Sequence, residues 1–219
     1  MATHLDEEEE LENLKRWFRE NWVALAAGLV IGFGAIGGWQ GWKAYQDRQS
    51  LAGAQMYDDL KKALTAGKTD DAVAITDKLQ AQYAGTPYAS AAALRLASVK
   101  VAARDFDAAL LRLDWVAEHG DENGIRQLAV LRKARVLWQQ NKPDEALKLL
   151  DGDAGDYASL YAELRGDIAY AKNDRDAARK AYQAALDSAP EAAANRALLQ
   201  QKLDDLAVDA AVAAEPVKS

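Results

Sequence analysis

Reaction chemistry needs groups that move protons, hold metals or attack electrophiles, and this sequence offers few of them in usable arrangements. It contains two histidines, His4 and His119. They stand far apart in sequence, and neither has a second ligand at metal-binding spacing. There is no cysteine, which removes disulfides, thiolate zinc sites and thiol nucleophiles together. No serine lies in a strand-to-helix elbow of the hydrolase type. The acidic neighbours Asp58 with Asp59, and Asp204 with Asp205, read as solvated helix faces rather than acid/base pairs. The glycines gather in one apolar stretch and form no phosphate-cradling loop. The expectation is a protein that is not an enzyme and carries no cofactor and no metal.

The residues left to act are of the kind that bind. Arg95, Arg132, Arg135, Trp138 and Tyr170 belong to segments of helical pattern. Arginine, tryptophan and tyrosine are the side chains that most often anchor interfaces. Placed on the first helices of a repeat array, these five are expected to face a shared groove for extended segments that carry negative charge or free carbonyls. The competing reading is that the arginines serve ion pairs within the chain. A net charge of −7 argues against nucleic acid as the partner, because phosphate binding needs a basic face.

Two kinds of element must position these residues. The first is an uncharged run of 22 residues between Glu20 and Lys43, NWVALAAGLVIGFGAIGGWQGW. As a helix it measures about 33 Å, enough to cross a hydrocarbon core of about 30 Å. Trp17 and Trp22 stand at one end, with Trp39, Trp42 and Tyr45 at the other, as rings that favour both headgroup levels. The run is too long for a signal peptide, follows the acidic stretch 6–10, and precedes no small-residue cleavage site. It is expected to be a transmembrane helix. Within it Gly28 and Gly32, Gly34 and Gly38, and Gly37 and Gly41 are each four apart, a spacing that admits a second membrane helix. Gly28, Gly32, Gly34, Gly38 and Gly41 are the expected contacts, and the partner could be another copy or another protein. Lys15, Arg16 and Arg19 before the span, against Lys43 and Arg48 after it, lean slightly toward a cytoplasmic N-terminus, and counting on to Lys61 and Lys62 reverses the balance. Leu11, Leu14 and Phe18 recur at helical spacing just before the span. They suit either a short helix on the membrane surface or an extension of the span.

The second kind is a helical repeat. A turn residue, a polar pair, an alanine and an aliphatic residue recur as GKTDDAV from Gly67, RDFDAAL from Arg104, NKPDEAL from Asn141 and, less strictly, NDRDAAR from Asn173. Successive copies start 37, 37 and 32 residues apart, around the 34-residue tetratricopeptide period. In the last copy Gly166, Ala178, Tyr182, Ala185 and Pro190 hold the small, small, aromatic, small and proline positions, and Ala97 and Ala134 hold the first small position in the middle copies. The fold expected is all-α: one N-terminal transmembrane helix followed by a solenoid of tetratricopeptide-like helical hairpins, with a plain helical bundle as the alternative. The expected organisation is a short N-terminal segment 1–20, a transmembrane helix 21–42, a repeat domain 43–206 capped by a helix from Glu191 to about Leu206, and a disordered tail 207–219.

These parts together resemble the ancillary subunit family of the Sec translocon over nearly the whole chain. The likeness rests on the acidic tail leading into LKRWFRENWVALAAGLVIGFGAIGGWQGWKAYQ, on LRKARVLWQQNKPDEALKLLD, and on LRGDIAYAKNDRDAARKAYQAAL. It departs in loop length near 121–124 and in a longer alanine-rich tail. The resemblance implies a bacterial inner-membrane protein with a cytoplasmic N-terminus and a periplasmic repeat domain. It implies association with the Sec channel and with a membrane-anchored periplasmic chaperone of the prolyl-isomerase-like type. It further implies help for unfolded, newly translocated secretory polypeptides, and no catalytic residue. The alternative is a membrane-tethered adaptor for envelope assembly or for a regulatory system, which never touches such chains.

Overall fold

The structure, a computed structural model, describes residues 3–214, with side chains described over 11–206. All regular structure among the described residues is helical. The first helix, α1 (Thr3–Thr65), divides between two compact units, Met1–Leu51 and Ala52–Ser219.

In the first unit α1 is unbroken, so the charged segment holding Leu11, Leu14 and Phe18 is helical extension rather than a separate helix. Asn21 donates from Nδ2 to the Trp17 carbonyl at 2.9 Å, and Gln49 donates to the Tyr45 hydroxyl at 2.8 Å. Leu29, Val30, Ile31, Phe33, Ile36 and Trp39 are all exposed. This helix is long and apolar enough to cross a membrane, and none of its apolar window is buried against the rest of the chain. A soluble core helix of that length would bury one face.

The second unit is a series of helical hairpins. The end of α1 pairs with α2 (Thr69–Gln82), α3 (Pro87–Ala102) with α4 (Phe106–His119), α5 (Asn123–Gln139) with α6 (Pro143–Leu150), and α7 (Ala158–Ala171) with α8 (Arg175–Ser188). A single 3₁₀ turn, Gly155–Tyr157, precedes α7, and α9 (Arg196–Ala214) follows α8. The recurring turn phrase is where each hairpin closes. Gly67, Arg104, Asn141 and Asn173, the first residues of the four copies, all have φ between 59° and 70°. At each, the residue's own amide and the next one bond back to carbonyls in the last helical turn, as in Arg104 to Val101 at 3.0 Å and Asp105 to Lys100 at 2.9 Å. This is the left-handed C-terminal cap, which glycine and asparagine take at low cost. Asp105 and Asp174 then cap the second helix by accepting from the Ala108 and Ala177 amides.

The core is a chain of four clusters, each shared by three consecutive helices. Leu60, Leu79 and Leu96 belong to the first, Ala97, Leu113 and Val136 to the second, Leu137, Leu150 and Ile168 to the third, and Tyr182, Leu199 and Leu206 to the fourth. No cluster closes into a single centre, which is the packing of a solenoid rather than of a bundle. Counted from each left-handed turn residue, the same two places recur, one on each helix of the hairpin. They are filled by Leu60 and Thr76, Ala97 and Leu113, Ala134 and Leu150, and Gly166 and Tyr182. All eight are buried. The side chain grows on one helix as it shrinks on the other, as close packing at constant helix separation requires.

The extended Ala189, which precedes Pro190, ends α8. The capping helix starts at Arg196, five residues later than the expected Glu191, because Pro190 to Asn195 form turns. Arg196 donates to the Leu186 and Ala189 carbonyls at 3.0 and 2.8 Å and so satisfies the open end of α8. Helix α9 continues to Ala214, into the stretch expected to be tail, and 215–219 lie outside the described residues.

Candidate functional site

A solenoid of hairpins presents its first helices side by side on one face. Here that face holds an open hollow above α3, bordered by the end of α1 and by α5. Its lining includes Leu64 and Thr65 from α1, Ala91, Leu94, Ser98, Val99 and Ala102 from α3, and two arginines, Arg95 and Arg132. Arg95 and Arg132 lie 37 residues apart at equivalent places in successive hairpins, which is why α3 and α5 each carry one to the same hollow. The floor is mostly small: Leu94 is buried, and alanines at 91 and 102 leave room for a backbone to approach.

The sequence-derived groove residues fall into three groups. Arg95 and Arg132 meet in the hollow. Arg135 lies one turn beyond Arg132 on α5, exposed, and is not among the hollow's lining. Trp138 is half-buried and packs against the cluster of α5, α6 and α7. Tyr170, at the same place in the last hairpin as Trp138, is 50% exposed near the end of α7. Sequence reasoning missed Thr65, Leu94 and Ser98. Their distance from each left-handed turn residue could have found them, since Ser98 is the counterpart of Arg135.

The electrostatics of this face are distinctive. Most arginines of the repeat unit are engaged: Arg112 pairs with Asp77 and Gln80, Arg165 donates to the Leu150 carbonyl, and Arg179 pairs with Asp176. Arg95, Arg132 and Arg135 have neither an ion pair nor a hydrogen bond among the described residues. No described carboxylate therefore serves as an internal ion-pair partner for these three.

A second polar cluster, at the far end, fastens α9. Lys202 lies 2.8 Å from Glu163 and 2.7 Å from Asp167, two carboxylates one turn apart on α7. Tyr182 donates its hydroxyl to Asp167 at 2.9 Å, and Asn195 donates to Glu163 at 3.1 Å. The Lys202 ammonium sits 5.3 Å from the Tyr182 ring centre. Burial works against the charge on Lys202, but the bonds to Asp167 and Glu163 outweigh it and hold the ammonium above its ordinary range. Burial, then the bond to Asp167, pushes the Tyr182 phenol upward. Tyr161, which donates to the Gln127 carbonyl at 2.8 Å, is pushed up to about 12, first by burial and then by Asp153. Every member of the α9 cluster has a structural partner. Among the described residues no three His, Asp or Glu side chains are arranged to hold a metal ion.

In the apolar helix, a Cβ added at Gly28, Gly32, Gly34, Gly37, Gly38 or Gly41 would meet nothing within 4 Å. That flank is open.

Comparison with known proteins agrees with this architecture. The family described as tetratricopeptide repeat-like domain matches residues 15–208. A protein of Escherichia coli (strain K12) named ancillary SecYEG translocon subunit is 32% identical over 95% of this chain and 100% of its own length. One of the same name from Neisseria gonorrhoeae is 34% identical, covering 94% of this chain and all of its own. Another from Haemophilus influenzae is 29% identical over 86% and 92%. With its repeat-like domain, its apolar helix and a likeness running end to end, the chain belongs to the ancillary SecYEG translocon subunit family.

Proposed function

We infer that the chain is a non-enzymatic accessory subunit of the Sec translocon, anchored in the inner membrane by its helix over 21–42. Its N-terminal segment lies in the cytoplasm and its repeat domain, 43–206, in the periplasm. The domain receives newly translocated, unfolded polypeptides in the hollow of Arg95 and Arg132, and passes them on beside a membrane-anchored prolyl-isomerase-like chaperone. Arg135 and Tyr170, both exposed, extend the same face toward the end of the solenoid, while Trp138 packs inward beside them. The open glycine positions Gly28, Gly32, Gly34, Gly38 and Gly41 let a helix of the channel approach the span closely.

The observation that carries this reading is the hollow itself. It is open, lined by small and aliphatic side chains, and bordered by two arginines with no partner among the described residues. An unfolded chain offers what such a surface takes: free carbonyls, carboxylates and small apolar groups. The relatives from Escherichia coli and Neisseria gonorrhoeae are named as SecYEG subunits, which ties proteins of this build to the channel. The side of the membrane is tested by Ser188→Cys, an exposed position in a chain with no other cysteine. Cells with a permeabilised outer membrane are treated with a thiol reagent that cannot cross the inner membrane. Labelling before lysis is expected, and labelling only after lysis would place the domain in the cytoplasm and end the reading.

A further inference from the structure

The two arginines of the hollow are set by the repeat and not by a loop, so their spacing is a property of the solenoid. Arg95 on α3 and Arg132 on α5 occupy equivalent places on neighbouring first helices. Packed helices stand about 8–10 Å apart, so the two guanidinium stems start at about that separation. Each guanidinium is a fixed fork of donors suited to a carboxylate, and neither has a partner among the described residues of a chain whose net charge is −7. The surroundings thus favour an acidic ligand twice over. Positive groups are displayed without internal partners, and the small floor of Ala91, Ala102 and Ser98 lets a ligand backbone come close.

A ligand in β conformation alternates its faces, so residues i and i+3 point to opposite sides. In the polyproline II conformation, which unfolded chains populate heavily, the repeat is three residues and about 9 Å. Side chains i and i+3 then project from one face at the separation of the two arginine-bearing helices.

We propose that the hollow selects unfolded segments in polyproline II conformation that carry two carboxylates at i and i+3, one for Arg95 and one for Arg132. This deepens the groove reading above and rests on it. Segments with one acidic residue, or with two adjacent ones, engage a single arginine. Basic segments are turned away. Binding weakens as salt rises, because the contacts are solvent-accessible charge pairs.

The test uses the full-length protein in detergent micelles, with a photoreactive amino acid at Ser98 to report occupancy of the hollow. Three labelled peptides of equal length are compared: Asp at i and i+3, Asp at i and i+1, and the first peptide with both Asp replaced by Asn. The spaced acidic peptide is expected to bind about tenfold more tightly than the amide control and to crosslink at Ser98. Arg95→Gln and Arg132→Gln are each expected to cost about tenfold, while Lys180→Gln, exposed on the second helix α8, costs less than about twofold. Helical circular dichroism of each variant checks that the fold is kept. If the amide peptide binds and crosslinks as well as the acidic one, the hollow holds chains without reading charge, and the inference is overturned while the groove reading stands. If the adjacent pair matches the spaced pair, the spacing rule is overturned. If no peptide crosslinks at Ser98, the groove reading falls as well.

Discussion

At Gly166 a Cβ would lie 2.4 Å from two carbons of the Tyr182 ring, a distance real atoms do not adopt. Gly166→Ala is therefore expected to lower stability by about 1–3 kcal/mol, read from urea unfolding of the full-length protein. The ring is the reason, and the other hairpins show the remedy. Where the first helix carries Ala134, the second carries Leu150, and both are fully buried. Adding Tyr182→Leu to Gly166→Ala recreates that pair. The double variant is expected to be more stable than the two single losses summed, by about 1 kcal/mol or more. Strict additivity would show that the two places do not pack as a pair. Arg104 gives the opposite sign. It is the one of the four left-handed turn residues that is neither glycine nor asparagine, at φ 59°. Arg104→Gly is expected to raise stability by about 0.5–1 kcal/mol in the same measurement. These turn positions were legible in the sequence as the first residue of each recurring phrase. The size exchange between the paired core positions was not, because Leu60 and Thr76 break the small-then-large pattern and only the left-handed turn residue fixes their register.

At the scale of the element, α9 is fastened by two buried leucines, Leu199 and Leu206, and by the Lys202 cluster on α7. Lys202→Met keeps the stem and leaves Glu163 and Asp167 facing each other without a cation. Hydrogen exchange is expected to quicken over α9 and the end of α8 while α2 to α4 are unchanged, since each core cluster reaches only three helices. Quickening throughout would mean that the repeats unfold as one. The same cluster, together with Tyr161 earlier on α7, governs the response to alkali. Tyr182, Tyr161 and Lys202 all hold their protons more tightly when folded. That stability is complete below about pH 10 and is lost as pH rises through the folded values, about 12 for Tyr161. Tyr161 and Tyr182 are expected to ionise only together with loss of helical signal from α7 to α9. Toward acid the groups are Asp58, Asp105 and Asp144, depressed by bonds to Lys61, Lys100 and Lys172. Their contribution is present above about pH 4 and fades below it, and it is shallow because exposed pairs are screened. A final capping helix was expected from the sequence, but its start was placed too early. Pro190 marked the end of α8, whereas the turns that follow are held by Arg196 reaching back to carbonyls, a contact that no local pattern announces.

For the whole molecule, the sequence was most legible where physics leaves few options. An uncharged run of 22 residues with tryptophan at both ends has few structures open to it, and a phrase recurring every 32 to 37 residues implies stacked hairpins. The groove was half legible. Arg95 and Arg132 were found through their repeat positions and do meet, but Trp138 turned to the core because the third cluster needed its ring. A side chain's direction within a half-exposed helix depends on neighbours from other hairpins, which a single register does not supply. On the proposed function, this hollow faces polypeptides as they leave the Sec channel. The direct measurement places a photoreactive amino acid at Ser98 in living cells and arrests a secretory chain midway through the translocon. Irradiation is expected to join the full-length protein to the arrested chain, with the adduct reduced several-fold by Arg95→Gln together with Arg132→Gln. Crosslinks to envelope proteins alone, with the arrested chain untouched, would contradict the account and make the protein a tethered adaptor.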